Sequence, residues 1–297
     1  MPYTDQYVTV ASTAVYFTGL ACFKTAAGQM PELRGVRPVQ LSLALATHGL
    51  WAAGALILMS GALLQVSVLG QLTLLQAQPL LMAGLATLLV LALLGRGERL
   101  SPREWGSVAL LAAATALIAV SRTSAEVRES APTESEVVAV AVPSLLLPTL
   151  AFLLGDLVRK GSHRRPTNGV ALAVSVGLLT GTAELMLKGM AERWTDPAGL
   201  LASPQLYLFL LATPLALGQL QIALQRCRLV IVGLVATATA KTYLLVAALT
   251  VYSEPWPDRW DLVLLGLFLS VLAIAAIPRH AAGPARPAAS ASRGHRL

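Results

Sequence analysis

Glu184 and Lys241 stand inside long apolar runs of a 297-residue chain in which only 12% of residues are charged. An ionisable group in such a run costs at least a few kcal/mol, so it needs a partner or a water-filled cavity. Around the glutamate, Gly177, Thr180, Gly181, Glu184 and Lys188 recur at helical spacings of three and four, which places them on one face. That stripe has two readings. Glu184 is a carboxylate that takes up a proton or substrate at the foot of an aqueous pathway. Alternatively it pairs with Lys188 near a surface, and Gly177-x-x-x-Gly181 serves close helix packing. Lys241 lies too deep in its own run for the ammonium to reach water easily. It reads as the recognition group for an anionic or carboxylate-bearing substrate, with Thr237 one turn below it, or as a buried counter-ion for Glu184. A helical rise of about 1.5 Å per residue puts Glu184 roughly 6 Å outward of Lys241, within reach across a bundle.

The remaining polar residues add candidates and remove chemistries. Gln65, Gln71, Gln76, Gln78, Gln219, Gln221 and Gln225 gather at two corners of the chain, where amides suit cavity walls or interhelical hydrogen bonds equally. The candidate substrate-binding or coupling set is therefore Glu184, Lys241, Thr180, Thr237, Gln65, Gln76, Gln78 and Gln221. The four histidines, His48, His163, His280 and His295, are scattered, and Cys22 and Cys227 are isolated thiols, so the expectation is no catalytic site, no metal site and no cofactor. A mid-membrane ammonium repels divalent cations. If Glu184 is the one well-buried carboxylate, too few hard oxygen ligands remain for magnesium. Pro79, Pro143, Pro148 and Pro214 interrupt apolar runs, freeing carbonyls that either meet substrate or serve packing.

Helices must position these groups. The chain is 56% hydrophobic, with apolar runs long enough to cross a hydrocarbon core of roughly 30 Å. The expected spans are 7–23, 49–69, 72–95, 104–121, 137–157, 168–188, 206–224, 229–252 and 260–277. Because the bilayer core offers no water to the backbone, each is helical and the fold class is an all-α polytopic membrane protein. Val39–Thr47 lengthens the apolar stretch beyond one helix and reads as an interfacial or re-entrant piece breaking at His48–Gly49. Threaded this way, sixteen of the 22 Lys and Arg residues fall on one side, five on the other, and Lys241 within a span. The basic side is cytoplasmic, which leaves the amino terminus outside and the carboxyl terminus in the cytoplasm, in the plasma membrane. The first span, with Lys24 after it and no basic residue before it, reads as an uncleaved helix. The net charge of +7 is accounted for by anionic lipid, with no nucleic acid partner. Asp156 beside Arg159 and Lys160 reads as a surface ion pair, and Trp51, Trp105, Trp256 and Trp260 as an interfacial belt.

At an offset of 155 residues the chain matches itself. Pro102 and Trp105 are answered by Pro257 and Trp260, Gly61–Leu69 by Ala216–Leu224 and, with a longer gap, Cys22-Phe-Lys24 by Met186-Leu-Lys188. Spans one to four and six to nine then form a pseudo-inverted repeat of four plus four helices joined by span five. The expected divisions are residues 1–122 for the first repeat, 123–136 for an external acidic linker, 137–278 for the linking helix and second repeat, and 279–297 for a disordered cytoplasmic tail. Leu50-Trp51-Ala-Ala-Gly54, Gly61–Leu69, Gln71–Leu80, Gly97-Glu98-Arg99-Leu100-Ser101 and Glu104-Trp105-Gly106 resemble the helical repeat of the drug/metabolite transporter superfamily, nearest to EamA-type and NIPA-like members. The likeness covers residues 7–278 and lacks the first helix of the ten-helix members. It implies export or exchange of a small molecule, or magnesium transport in NIPA-like members. The expected function is a secondary transporter that moves a small organic solute, anionic or zwitterionic, by alternating access with proton coupling. A magnesium carrier and a non-transporting scaffold subunit are the alternatives. The expected partners are the substrate, protons and the lipid bilayer, and a homodimer is compatible with the sequence.

Overall fold

Peptide groups with no water to bond to close their hydrogen bonds within the segment. The computed structural model is accordingly helical in its regular segments, with no strand among the described residues. It describes residues 2–31, 33, 38–69, 84–95, 97, 99–121, 133–158, 167–193, 195–252 and 257–277. In chain order the helices are α1 (Pro2–Gln29), α2 (Pro38–Ala46), α3 (Gly49–Leu69), α4 (Gly84–Gly95), α5 (Pro102–Val120), α6 (Glu134–Val158), α7 (Thr167–Glu192), α8 (Pro197–Ala202), α9 (Pro204–Arg226), α10 (Leu229–Thr250) and α11 (Trp260–Ala276). Gln76, Gln78, Pro79, Trp256, the Arg159–Lys160 pair, most of the acidic linker and the tail 278–297 lie outside the described residues, as does the side chain of Asp156.

Among the described residues α5, α6, α7, α9 and α10 are each long and apolar enough to cross a membrane, which marks the chain as a membrane protein. α2 and α3 meet that test as a pair, but are bent by 85° at a break where Thr47 and His48 stand between them. The break falls where the sequence places it. α4 and α11 are shorter apolar helices, and α1, 28 residues long, carries more polar side chains. Helix starts follow local chemistry. Ser101 caps α5 by accepting from the Glu104 amide, the Glu104 carboxylate accepts from the Ser101 amide, and Pro102 supplies the preset first turn. Ser203 and Pro204 open α9 in a related way.

Small residues decide which helices touch. α1 lies along α3 because Gly19 and Gly61 bring backbones together: a Cβ on Gly19 would stand 2.8 Å from the Gly54 carbonyl oxygen, and one on Gly61 2.9 Å from that of Ser12. α7 lies along α10 in the same manner, with Gly177 facing the Ala236 carbonyl at 2.6 Å and Gly181 that of Ala240 at 3.1 Å. Gly84 of α4 faces Thr13 and Phe17 of α1, and Gly266 of α11 faces Ala114 and Ile118 of α5. α7 also packs on α9, and α5 on α11.

Polar contacts tie the helix ends into two sets. At one end the Lys24 ammonium of α1 donates to the carbonyls of Leu224 and Cys227, each at 2.6 Å, capping the C-terminus of α9 where a cation is favoured. One residue on, Arg228 donates to both carboxylate oxygens of Glu104 at 2.8 and 3.1 Å and to the Arg99 carbonyl. Gln225 braces the same corner, donating to the Ala27 and Pro31 carbonyls and accepting from the Leu33 amide. The α9–α10 connection is thus held by α1 on one side and α5 on the other. At the opposite end Arg193 bonds Glu134 at 2.9 Å, and Lys188 stands over the Tyr252 ring at 5.8 Å. Burial raises the Cys227 thiol pKa, against the pull of Lys24 and Arg226, so this thiol is a poor nucleophile while the corner stays closed.

Two predictions follow from these contacts. Gly177→Val drives side-chain carbon into the α10 backbone and is expected to cost about 1–3 kcal/mol, read as a fall in the melting temperature of the detergent-solubilised protein. Gly28→Ala, which meets nothing within 4 Å, leaves it unchanged. In a Cys22→Ser background, Glu104→Gln frees Arg228 and accelerates alkylation of Cys227 by maleimide at least about ten-fold, since reaction follows exposure and thiolate character. An unchanged rate would show that Glu104 does not hold the corner shut.

Candidate functional site

The site forms where α1, α7 and α10 meet, with α9 behind. On α10 the residues Gly233, Ala236, Thr237, Ala240 and Lys241 recur at spacings of three and four and face one cavity. α7 adds Val176, Thr180 and Glu184, and α1 adds Thr13, Tyr16, Phe17 and Leu20 at the same kind of spacing. The cavity holds about 560 Å³ of empty space, part of it continuous with the surroundings. Gly177 and Gly181, one face away on α7, let α10 approach closely enough for the two charged side chains to meet.

The Lys241 ammonium donates to the Glu184 carboxylate. Their side chains are 9% and 17% exposed, so the pair sits in a low-dielectric setting where each charge depends on the other. Among the described residues lining the cavity, these two are the charged ones. Thr180 and Thr237, singled out from the sequence, line the same space, and Thr13 and Tyr16 place two further hydroxyl groups there. Phe17, Leu20, Leu220 and Val232 supply apolar wall.

A second cavity, with about 500 Å³ of empty space that is partly continuous with the surroundings, lies between α1, α3, α7 and α9. Tyr16, Thr180 and Glu184 line both cavities. The second is otherwise walled by apolar side chains such as Leu58, Met59 and Phe209, with Thr213 among them. The Thr213 hydroxyl oxygen is buried with no hydrogen-bond partner among the described residues.

The structure separates the glutamines from this group. Gln221 lines neither cavity; its amide donates to the Phe23 carbonyl and to the Met30 sulfur, joining α9 to α1. Gln219 accepts from Ser175, which also donates to the Pro148 carbonyl, so that proline's segment of α6 is fastened to α7. Gln65 belongs to α3 with its side chain outside the description, and Gln76 and Gln78 lie outside the described residues. The condition that Glu184 is the one buried carboxylate is not met, because Glu104 is only 2% exposed. It stands at a helix start, where a carboxylate is ordinary, and its partner Arg228 is 124 positions away. Both Glu104 oxygens are engaged by that arginine. Sequence reasoning also missed Tyr16 and Thr13, and the cluster in which the Ser144 hydroxyl meets those of Thr182 at 2.7 Å and Tyr243 at 3.0 Å. The helical spacing of Thr13, Tyr16 and Phe17 was the available signal. Trp51 stacks on Phe23 with ring centroids 5.4 Å apart, between α3 and α1.

No protein-family profile, curated protein or solved structure matches this chain.

Removing one member of the ion pair leaves the other buried and uncompensated, which costs about 3–5 kcal/mol. Lys241→Gln is therefore expected to lower thermal stability sharply at neutral pH. The double replacement Glu184→Gln with Lys241→Gln regains most of the loss in the same melting experiment. Additive losses would mean the two charges do not depend on each other.

Proposed function

We propose that the protein is a secondary transporter of the drug/metabolite type, moving a small organic solute across the plasma membrane by alternating access coupled to a proton. The observation that carries this reading is the buried Glu184–Lys241 pair on the wall of a cavity bordered by hydroxyl groups. Ionisable residues inside a membrane bundle are expensive, and they mark substrate paths and proton relays. Cavities with apolar walls and a few convergent polar groups are where small molecules bind.

The helix packing supports the inverted-repeat plan. α3, α4 and α5 correspond to α9, α10 and α11 at the sequence offset of 155 residues, and α1 corresponds to α7. α1 packs on α3 as α7 packs on α9, and the two final helices, α5 and α11, pack on each other. The cavity lies between α1 of one half and α7 and α10 of the other, where such transporters hold their substrates. The polar contacts at helix ends support the nine-span threading by joining residues that it puts on the same side of the membrane. Lys24, Arg99, Glu104 and Arg228 meet at the end read as cytoplasmic, and Arg193 and Glu134 at the end read as external. A mid-membrane ammonium speaks against the magnesium alternative.

The test is reconstitution into liposomes that enclose a pH-sensitive dye, challenged with a panel of small organic solutes. Native protein is expected to give solute-dependent proton flux, and Glu184→Gln to reduce it by about a hundred-fold or more, the scale on which removal of a proton-transferring group acts. Flux that survives the substitution unchanged removes Glu184 from the mechanism.

A further inference from the structure

We infer that the cavity takes a small monoanion, a carboxylate with an apolar body, together with one proton, and that the anion replaces Glu184 on Lys241. This rests on the transport reading above and names its substrate class. Lys241 and Glu184 sum to zero, and no other charge is present among the described residues lining the cavity. An anion entering beside the intact pair leaves one negative charge uncompensated in a poorly solvated space, which is costly. A cation meets the same penalty with the opposite sign, against the Lys241 ammonium.

A neutral exchange is available. Glu184 accepts a proton from the aqueous phase and releases the Lys241 ammonium, which then bonds the incoming carboxylate. One anion and one proton enter, the charge of the site stays at zero, and no covalent bond of the ligand changes. Thr237 on the face of Lys241 supplies a hydroxyl for the ligand's second oxygen, and Phe17, Leu20 and Leu220 face its apolar body.

The second cavity gives the displaced glutamate a place. Glu184 lines both spaces, so its carboxyl group can turn from one to the other without leaving the protein. No cation lines the second space among the described residues, which makes it a home for the protonated acid and not for the carboxylate. The buried, unpartnered Thr213 hydroxyl there can accept the new O–H. The titratable groups around Glu184 are Lys241 from α10, Tyr16 from α1 and, one turn on along α7, Lys188, which is drawn over the Tyr252 ring. α3 and α9 present apolar or hydroxyl side chains.

The test uses three compounds that share an isobutyl body and differ in charge: 4-methylpentanoate, leucine and 3-methylbutylamine. Each is titrated calorimetrically into the full-length protein in detergent at neutral pH, in two buffers of different ionisation enthalpy so that proton uptake is counted. Expected is binding of 4-methylpentanoate at least about ten-fold tighter than the other two, with uptake of about one proton per anion. Glu184→Gln should keep anion binding and lose the proton uptake, and Lys241→Gln should weaken the anion by about ten-fold or more. The proton count on the native protein stands even if either variant folds poorly. Tighter binding of leucine or the amine, anion binding without proton uptake, or no binding by any of the three overturns the inference. If leucine or the amine is carried in the liposome assay while the anion is not, the transport reading stands and the inference fails. Proton-linked anion binding with no solute crossing in liposomes retains the site and removes transport.

Discussion

The ion pair between Glu184 of α7 and Lys241 of α10 is the constraint around which the centre of the protein is arranged. Each charge taken from water costs several kcal/mol, which only a close and well-placed partner offsets. The closeness comes from Gly177 and Gly181, whose missing side chains let α7 lie against the α10 backbone. The placement comes from helical spacing, which points Thr180 and Glu184 on one helix and Thr237 and Lys241 on the other into one cavity. Two charges that neutralise each other beside open space are stable at rest and available for exchange. A pair sealed in packed side chains would be stable and inert.

The surroundings show how a bundle keeps such a site usable. Hydrogen bonds between helices elsewhere fix the frame: Gln221 and Gln225 fasten α9 to α1 and the segment after it, and Ser175 and Gln219 fasten α6, α7 and α9. At one end Lys24 of α1 and Glu104 of α5, both from the first half of the chain, clasp the α9–α10 connection of the second half. If the halves rock, this is a contact that has to part, and Cys227 sits at its centre as a natural reporter. The same clasp holds the second buried carboxylate away from the cavity, since both Glu104 oxygens accept from Arg228 and one also from the Ser101 amide.

Helical class, the presence of membrane-crossing helices and the break before α3 were legible because each follows from the lack of water in apolar surroundings; of the nine expected spans, five are long and apolar enough on their own among the described residues. That Glu184 and Lys241 could meet was legible for the same reason, since an ionisable residue in an apolar run needs a partner and the helical rise put the two within reach, but the sequence left Lys188 as an equal alternative and the packing of α7 on α10 decides for Lys241. The glutamines were not separable, because an amide serves a cavity wall and a helix contact equally well and only packing distinguishes them. Glu104 was hidden by its position at a helix start, where a carboxylate is ordinary, and by the sequence distance to Arg228. Tyr16 was hidden because a hydroxyl in a long helix carries no desolvation penalty large enough to announce itself. The second cavity depends on how four helices diverge, which spacing along one helix does not encode.

The central claim is that Glu184 exchanges between a charged state on Lys241 and a protonated state turned away from it. Infrared difference spectroscopy of the native protein, with and without the anionic ligand, tests this most directly. The account predicts that the ligand brings up a carboxylic-acid carbonyl band, shifted by deuterium exchange and absent from Glu184→Gln. A spectrum in which the ligand binds while the Glu184 carboxylate bands stay unchanged would contradict it.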